Sequence, residues 1–241
     1  TMAQQELEKR EKGQQSKILD LLDKQGKCII GPNENAKNSE YLMLKNLEAH
    51  PGRIGVIGDD LLKKELEKRQ RGEKSNILDL VEKQGKCALY TDSSQYIRNN
   101  EYLVLENLKA NSGRIGVIGE ELLNQEIEKR KNGEKSQIFD LLEQQKQCII
   151  FGTSPDYIKN NEYLVKKYLE FESEVKLDRI GQELLQKELD KGFYLDSQNN
   201  IKTHNSEIIK KILKLMDNGK LKIAFLPEVF SNNVDFMRYL V

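Results

Sequence analysis

Apolar residues along this chain fall at helical spacing, stop at a polar or glycine-bearing break, and then begin the same pattern again. Ile138, Phe139, Leu141 and Leu142 mark one face of a segment from Ser136 to Gln145. Ile118, Leu122, Leu123 and Ile127 do so for a segment near Glu120–Arg130. Ile158, Leu164, Val165, Tyr168 and Leu169 do so near Pro155–Glu170. The spacing therefore predicts three helices per stretch. Ser16, Ser75 and Ser136 stand where an N-cap should accept from orphaned amides. Gly13, Gly72, Gly133 and Gly192 stand where a left-handed C-cap should end a helix, and Gly26 and Gly85 should end the equivalent helix in two of the copies. Ser154 is a candidate cap for the third helix and Pro155 suits its first turn.

The pattern is a true repeat. Ser16-Lys17-Ile18-Leu19-Asp20-Leu21-Leu22 returns as Ser75-Asn76-Ile77-Leu78-Asp79-Leu80-Val81 and as Ser136-Gln137-Ile138-Phe139-Asp140-Leu141-Leu142. Cys28, Cys87 and Cys148 follow, each ahead of a short apolar run, and then Tyr41, Tyr102 and Tyr163 within Asn/Ser-Glu-Tyr-Leu. Gly52-Arg53-Ile54-Gly55-Val56-Ile57-Gly58 recurs as Gly113-Arg114-Ile115-Gly116-Val117-Ile118-Gly119. In the third copy, pairing Gly181 with Gly119 needs one extra residue, which makes the nearby Arg179-Ile180-Gly181 a coincidence of letters. A period of about sixty residues implies an all-α chain of tandem helical repeats, α-solenoid-like, with about three units plus a degenerate C-terminal one. Residues 1–13 read as the closing helix of a truncated repeat, 14–72, 73–133 and 134–192 as repeats, and 193–241 as an insertion plus a capping repeat. In that last repeat Ile212-Leu213 pairs with Ile138-Phe139. The run after each cysteine reads as an extended connector, with a short strand as the alternative.

Composition narrows the function classes. Lys and Arg together number 39, as do Asp and Glu, so the formal charge is zero. A general grip on nucleic acid or an anionic membrane needs a cationic surplus, and neither partner is expected. The lysines between Lys202 and Lys222 read as a solvated helix face. No apolar run reaches membrane-spanning length. Three cysteines, far apart and in register, suit a reducing, cytoplasmic compartment and small buried core positions. Leu80, Leu141 and Tyr102 are expected in the core. The period and signature residues match none of the common helical repeats.

Candidate chemistry is thin. The Gly-Arg-Ile-Gly-Val-Ile-Gly turn lacks the spacing of a phosphate loop. No Cys-x-x-Cys occurs and the only histidines are His50 and His204, so no metal or cofactor is expected. Glu-Leu-Glu-Lys-Arg at Glu65–Arg69 and its counterparts read as an exposed, ion-paired helix. Arg53 and Arg114 share one register in a glycine turn that a partner can approach, the competing reading being an internal salt bridge to Glu40 or Glu101. Phe193 and Tyr194 break the repeat and lead into an aromatic tail from Phe225 to Phe236. These four residues are the candidate partner-binding positions. A duplicated environment suits a binding surface better than a singular active site. The expected function is a non-catalytic module that binds a protein or peptide. An enzyme with one site near the nonrepeating C-terminal region is the alternative. Heavy use of Lys, Asn, Gln, Glu and Ile is a bias common in AT-rich bacterial genomes. A third reading, a bacterial effector or effector inhibitor acting by binding a protein, with secretion into a host cell, concerns context and is not read from composition.

Overall fold

The structure, a computed structural model, describes residues 2–172, 175–195, 201–203, 206–222 and 228–234. Within these the chain is mostly helical, with almost no strand, as an all-α chain should be. Two compact units divide it, residues 1–111 and 112–241.

In the first unit the helices are α1 (Met2–Glu11), α2 (Lys17–Gln25), α3 (Glu34–Lys37), α4 (Glu40–Ala49), α5 (Asp59–Gln70), α6 (Asn76–Gln84), α7 (Gln95–Arg98) and α8 (Glu101–Ala110). A 3-10 turn, Ile54–Val56, precedes α5. The second unit opens on the matching turn, Ile115–Val117, and continues through α9 (Glu120–Lys131), α10 (Gln137–Gln145), α11 (Asp156–Lys159), α12 (Glu162–Phe171), α13 (Gln182–Asp190), α14 (Glu207–Asp217) and α15 (Glu228–Ser231). Among the described residues of this unit are four short strands. β1 (Val175–Lys176) pairs in parallel with β4 (Leu221–Lys222), and β2 (Phe193–Leu195) pairs antiparallel with β3 (Ile201–Thr203).

The serine caps form as the sequence predicts. Ser16, Ser75 and Ser136 accept from the amides of Leu19, Leu78 and Phe139. Gly72 and Gly133 adopt the left-handed conformation just past α5 and α9. Gly26 and Gly85 end α2 and α6 the same way, but Lys146 occupies that place after α10 with φ of 49°. A side chain in this region is strained, so the third copy keeps the turn without its best residue.

One interaction recurs in every copy and was misread from sequence. The glutamate of the Glu-x-x-Lys segment is buried rather than exposed: Glu65, Glu126 and Glu188 are almost wholly removed from solvent. Ser75 Oγ donates to Glu65 Oε2 at 2.6 Å, and Lys68 Nζ lies 2.5 Å from Oε1. Glu6–Ser16, Glu126–Ser136 and Glu188–Ser206 repeat the bond. Each serine thus caps one helix and ties it to the helix before. A carboxylate can be buried here because both oxygens are bonded and a lysine neutralises it.

The same bond corrects the alignment of the last copy. Ser206 occupies the place of Ser136, so Ile208 and Ile209 match Ile138 and Phe139. Ile212 and Leu213 lie one turn farther along; an isoleucine one helical turn away sits on the same face, and apolar periodicity alone cannot tell the two registers apart.

Other expectations shift in detail. The third helix of each copy breaks in two, a single turn and then a ten-residue helix, as in α11 and α12. Pro155 is the N-cap residue rather than part of the first turn; Ser154 donates instead to the Gly116 carbonyl at 2.9 Å. No strand follows the cysteines of the three full copies, so the connector reading holds there. Gly181 caps α13 as Gly58 and Gly119 cap α5 and α9, which leaves Arg179 in the last position of a 3-10 turn, Leu177–Arg179. Leu80, Leu141 and Tyr102 are only half-buried, whereas Ile77, Leu78 and Val81 on α6 and Ile138, Phe139 and Leu142 on α10 form the buried face. Leu80 and Leu141 sit at the margin of that stripe.

Ser75→Ala removes a helix cap and leaves Glu65 Oε2 without its donor, and it should destabilise the chain by about 1–2 kcal/mol in urea unfolding. Leu142→Ala should cost about 2–5 kcal/mol, and Leu141→Ala clearly less, in the same measurement.

Candidate functional site

The glycine turn carries Arg53 and Arg114, and its geometry is set by bonds to the connector of the next copy. Gly52 donates its N–H to Gln84 Oε1 at 2.9 Å, and Gln84 Nε2 donates to the Leu47 carbonyl at 2.9 Å. The Ala88 amide donates to the Gly52 carbonyl at 2.7 Å, the Gly55 amide to the Ala88 carbonyl at 3.1 Å, and Ser93 Oγ to the Gly55 carbonyl at 2.8 Å. Gly52 has φ of 81°, and a Cβ there would stand 2.7 Å from the Lys86 backbone. Both the conformation and the close approach demand glycine. The second unit repeats this: Gly113 donates to Gln145 Oε1 at 2.9 Å, Ile149 to the Gly113 carbonyl at 2.6 Å, and Gly116 to the Ile149 carbonyl at 3.0 Å. In the first turn the amides of Gly52, Arg53, Ile54, Gly55, Ile57 and Gly58 all have acceptors within the protein. They are spent on structure and do not form an anion cradle.

Arg53 is half-buried beside an open cleft of about 360 Å³ in the first unit, whose lining includes Ile30, Pro32, Lys37, Tyr90 and Asp92. The salt bridge weighed for it does not form with Glu40, which instead accepts from Lys68 Nζ at 3.4 Å and Asn76 Nδ2 at 3.1 Å. Arg114, in the second unit, lays its guanidinium over the Phe151 ring, 5.2 Å from the centroid. The two arginines therefore occupy equivalent turns with different side-chain surroundings. Phe193 and Tyr194 enter β2 with Thr203 and Lys202 opposite them. Their side chains lie outside the described residues, as do His204 and much of the Phe225–Phe236 tail.

A polar cluster that recurs along the chain was missed by sequence reasoning. Arg69, at the end of α5, pairs with Asp79 at 2.8 Å and with Glu82, both on α6. Tyr102 Oη donates to Glu82 at 2.6 Å and its ring lies 5.5 Å from the guanidinium carbon. Arg10–Asp20–Asp23–Tyr41 and Arg130–Asp140–Glu143–Tyr163 form the same set. The Arg69 and Tyr102 hydrogen bonds hold the Glu82 carboxyl below its ordinary range, and Tyr163 does most to lower Glu143. Burial, then the Asp23 bond, pushes Tyr41 up to about 12. Burial, then the acceptor carboxylate, also raises Tyr102 and Tyr163. The signal was present as an Arg and an Asp ten residues apart in every full copy; read one helix at a time, it looked like surface charge.

Cys28, Cys87 and Cys148 are buried, and each Sγ points to a carbonyl of the following ten-residue helix, those of Leu42, Leu103 and Leu164. Burial raises all three thiols, Cys87 to about 12. Among the described residues no group of three or more His, Cys, Asp or Glu is placed to hold a metal. Nor is any helix long and apolar enough to cross a membrane. The lysine-rich α14 lies beside α12, where Lys166 reaches Glu207 at 3.6 Å and Lys211 reaches Glu170 at 3.8 Å, so acids intersperse the lysines. No protein family, curated protein or solved structure matches the chain.

Because a raised thiol is less ionised at neutral pH and the thiolate is the nucleophile, native labelling by a maleimide should be slow at all three cysteines. It should be slowest at Cys87 and Cys148 and less slow at Cys28. Complete labelling within the time needed for a free thiol would show that the cores open readily.

Proposed function

We propose that the chain is a non-catalytic helical-repeat module that binds a protein or peptide, with the Arg53 and Arg114 turns on its contact surface. The observation that carries this reading is the multiplicity of the main polar constellations. Asp23, Glu82 and Glu143 and their tyrosines, whose properties are displaced, sit in three copies of one inter-helix ion-pair set. Perturbed groups point to catalysis when they converge once in a cleft; three equivalent sets point to architecture. What remains for function is surface that the architecture does not consume. Arg53 meets that condition, because its turn is locked by backbone bonds while its side chain borders an open cleft. The rigid turn presents the guanidinium at little entropic cost, and arginine suits bidentate contact with a partner's carboxylates. A tandem-repeat arrangement would present successive turns to one extended partner, and the domain boundaries read from sequence belong to the same proposal.

The purified chain should capture a partner from a lysate of its source cells, and Arg53→Ala and Arg114→Ala should each weaken that complex roughly tenfold. Arg53→Ala should leave the melting temperature nearly unchanged, since that side chain borders open space, whereas Arg114→Ala also removes a half-buried stacking contact on Phe151, worth about 0.5–2 kcal/mol. Unchanged affinity in both variants would remove the turns from the contact surface.

A further inference from the structure

Three apolar residues at the start of the first unit are more exposed than their counterparts. Ile18 is 51% exposed, Leu21 53% and Ile29 72%. Ile77 on α6 and Ile138 on α10, the equivalents of Ile18, are 0% exposed. Leu19 is buried and α1 packs against the helix, while Leu22, the equivalent of the buried Val81 and Leu142, is only half-buried. The difference is thus confined to one side of α2 and its connector.

The first unit shows what covers that side of the next copy. Helix α4 packs on α6, and the turn after it binds the connector through Gly52, Gly55, Gln84 and Ala88. The second unit shows the two parts separately: the turn at Gly113 bonded to Gln145 and Ile149, and α12 packed on α14 with β1 paired to β4. In the first copy Gln25 takes the place of Gln84, and Ile29 that of Ala88. Among the described residues nothing bonds the Gln25 side chain or the Ile29 backbone. The surface therefore offers an apolar stripe, a free carboxamide and an unpaired extended backbone in the arrangement that elsewhere receives a helix and a glycine turn.

We infer that this face of α2 is a docking site for a helix-and-turn segment of the chain's own repeat type, supplied from outside the described fold. The occupant is an amphipathic helix that begins Glu-Tyr-Leu and ends in Gly-Arg-Ile-Gly. Its helix covers Ile18 and Leu21. Its first turn glycine donates to Gln25, and its backbone pairs with Ile29. The recognition is a helix laid in an apolar groove and finished by backbone pairing, and both parts are already used inside the protein. The inference deepens the binding-module reading and rests on it, but it names a different surface from the arginine turns.

The test is a labelled synthetic peptide spanning residues 39–58, titrated into the full chain and followed by fluorescence anisotropy. Saturable one-to-one binding is expected. Ile18→Asp combined with Leu21→Asp should weaken it about tenfold or more. Gln25→Ala should weaken it severalfold, and a peptide carrying Gly52→Ala should bind far less well than the native one. The substituted apolar residues are exposed, so circular dichroism of the double variant should match the wild type. Three results would overturn the proposal: no saturation up to about 1 mM peptide, binding indifferent to the double substitution, or a dimer in sedimentation that the double substitution dissolves. The last would assign the face to a second copy of the chain. Peptide binding without any effect of Arg53→Ala on the captured partner would separate this site from the proposed contact surface.

Discussion

A carboxylate buried between two helices, hydrogen-bonded to the serine that caps one of them, is the constraint on which the described fold depends. Glu65 and Ser75 show it most fully: the serine hydroxyl donates to the carboxylate while its oxygen accepts from the Leu78 amide, and Lys68 covers the other carboxylate oxygen. The arrangement sets the helix start, the distance between α5 and α6, and the path of the intervening turn at once. It persists where the sequence between the partners changes. Glu188 and Ser206 form the same bond across a longer connection that contains β2 and β3. Once both oxygens are satisfied, removing either partner strands a buried polar group, so the pair specifies geometry more than it adds stability.

The turns are the second fixed element, and they explain why the surface divides into spent and available parts. The amides of Gly52, Arg53, Ile54, Gly55, Ile57 and Gly58 are bonded within the protein, and the glycines are required by closeness to Lys86, Ser93 and Asn38. The arginine–acid–tyrosine sets are likewise committed to holding α5 to α6 and α9 to α10, with the following tyrosine closing each set. The surface left uncommitted includes side chains such as Arg53, which border open space, and the apolar side of α2, and these are where the proposed recognition is placed.

Several structural decisions were invisible to single-helix reasoning for one shared reason. The Glu-x-x-Lys-Arg segments have the charge pattern of an exposed helix, and along one helix Lys68 and Glu65 do look like an ordinary surface pair. That Glu65 is buried depends on Ser75 arriving from the next helix. The one-turn error in the last copy has the same origin, since Ile208 and Ile212 are equally good on one face of α14 and only the Glu188–Ser206 bond chooses between them.

Periodicity, caps and the recurrence of whole segments were enough to determine the helical character of the chain, the placement of the serine and glycine boundaries, the burial of the cysteines and the equivalence of Gly181 with Gly58 and Gly119. These are local properties: a cap or an amphipathic stripe depends on residues three or four positions apart. Tertiary structure alone decided which charged residues enter the core, which arginine is paired and which borders a cleft, and which apolar stripe lies open. Those outcomes depend on groups ten to forty residues away in sequence, and a charge or an isoleucine has no fixed environment until the neighbouring helix is in place.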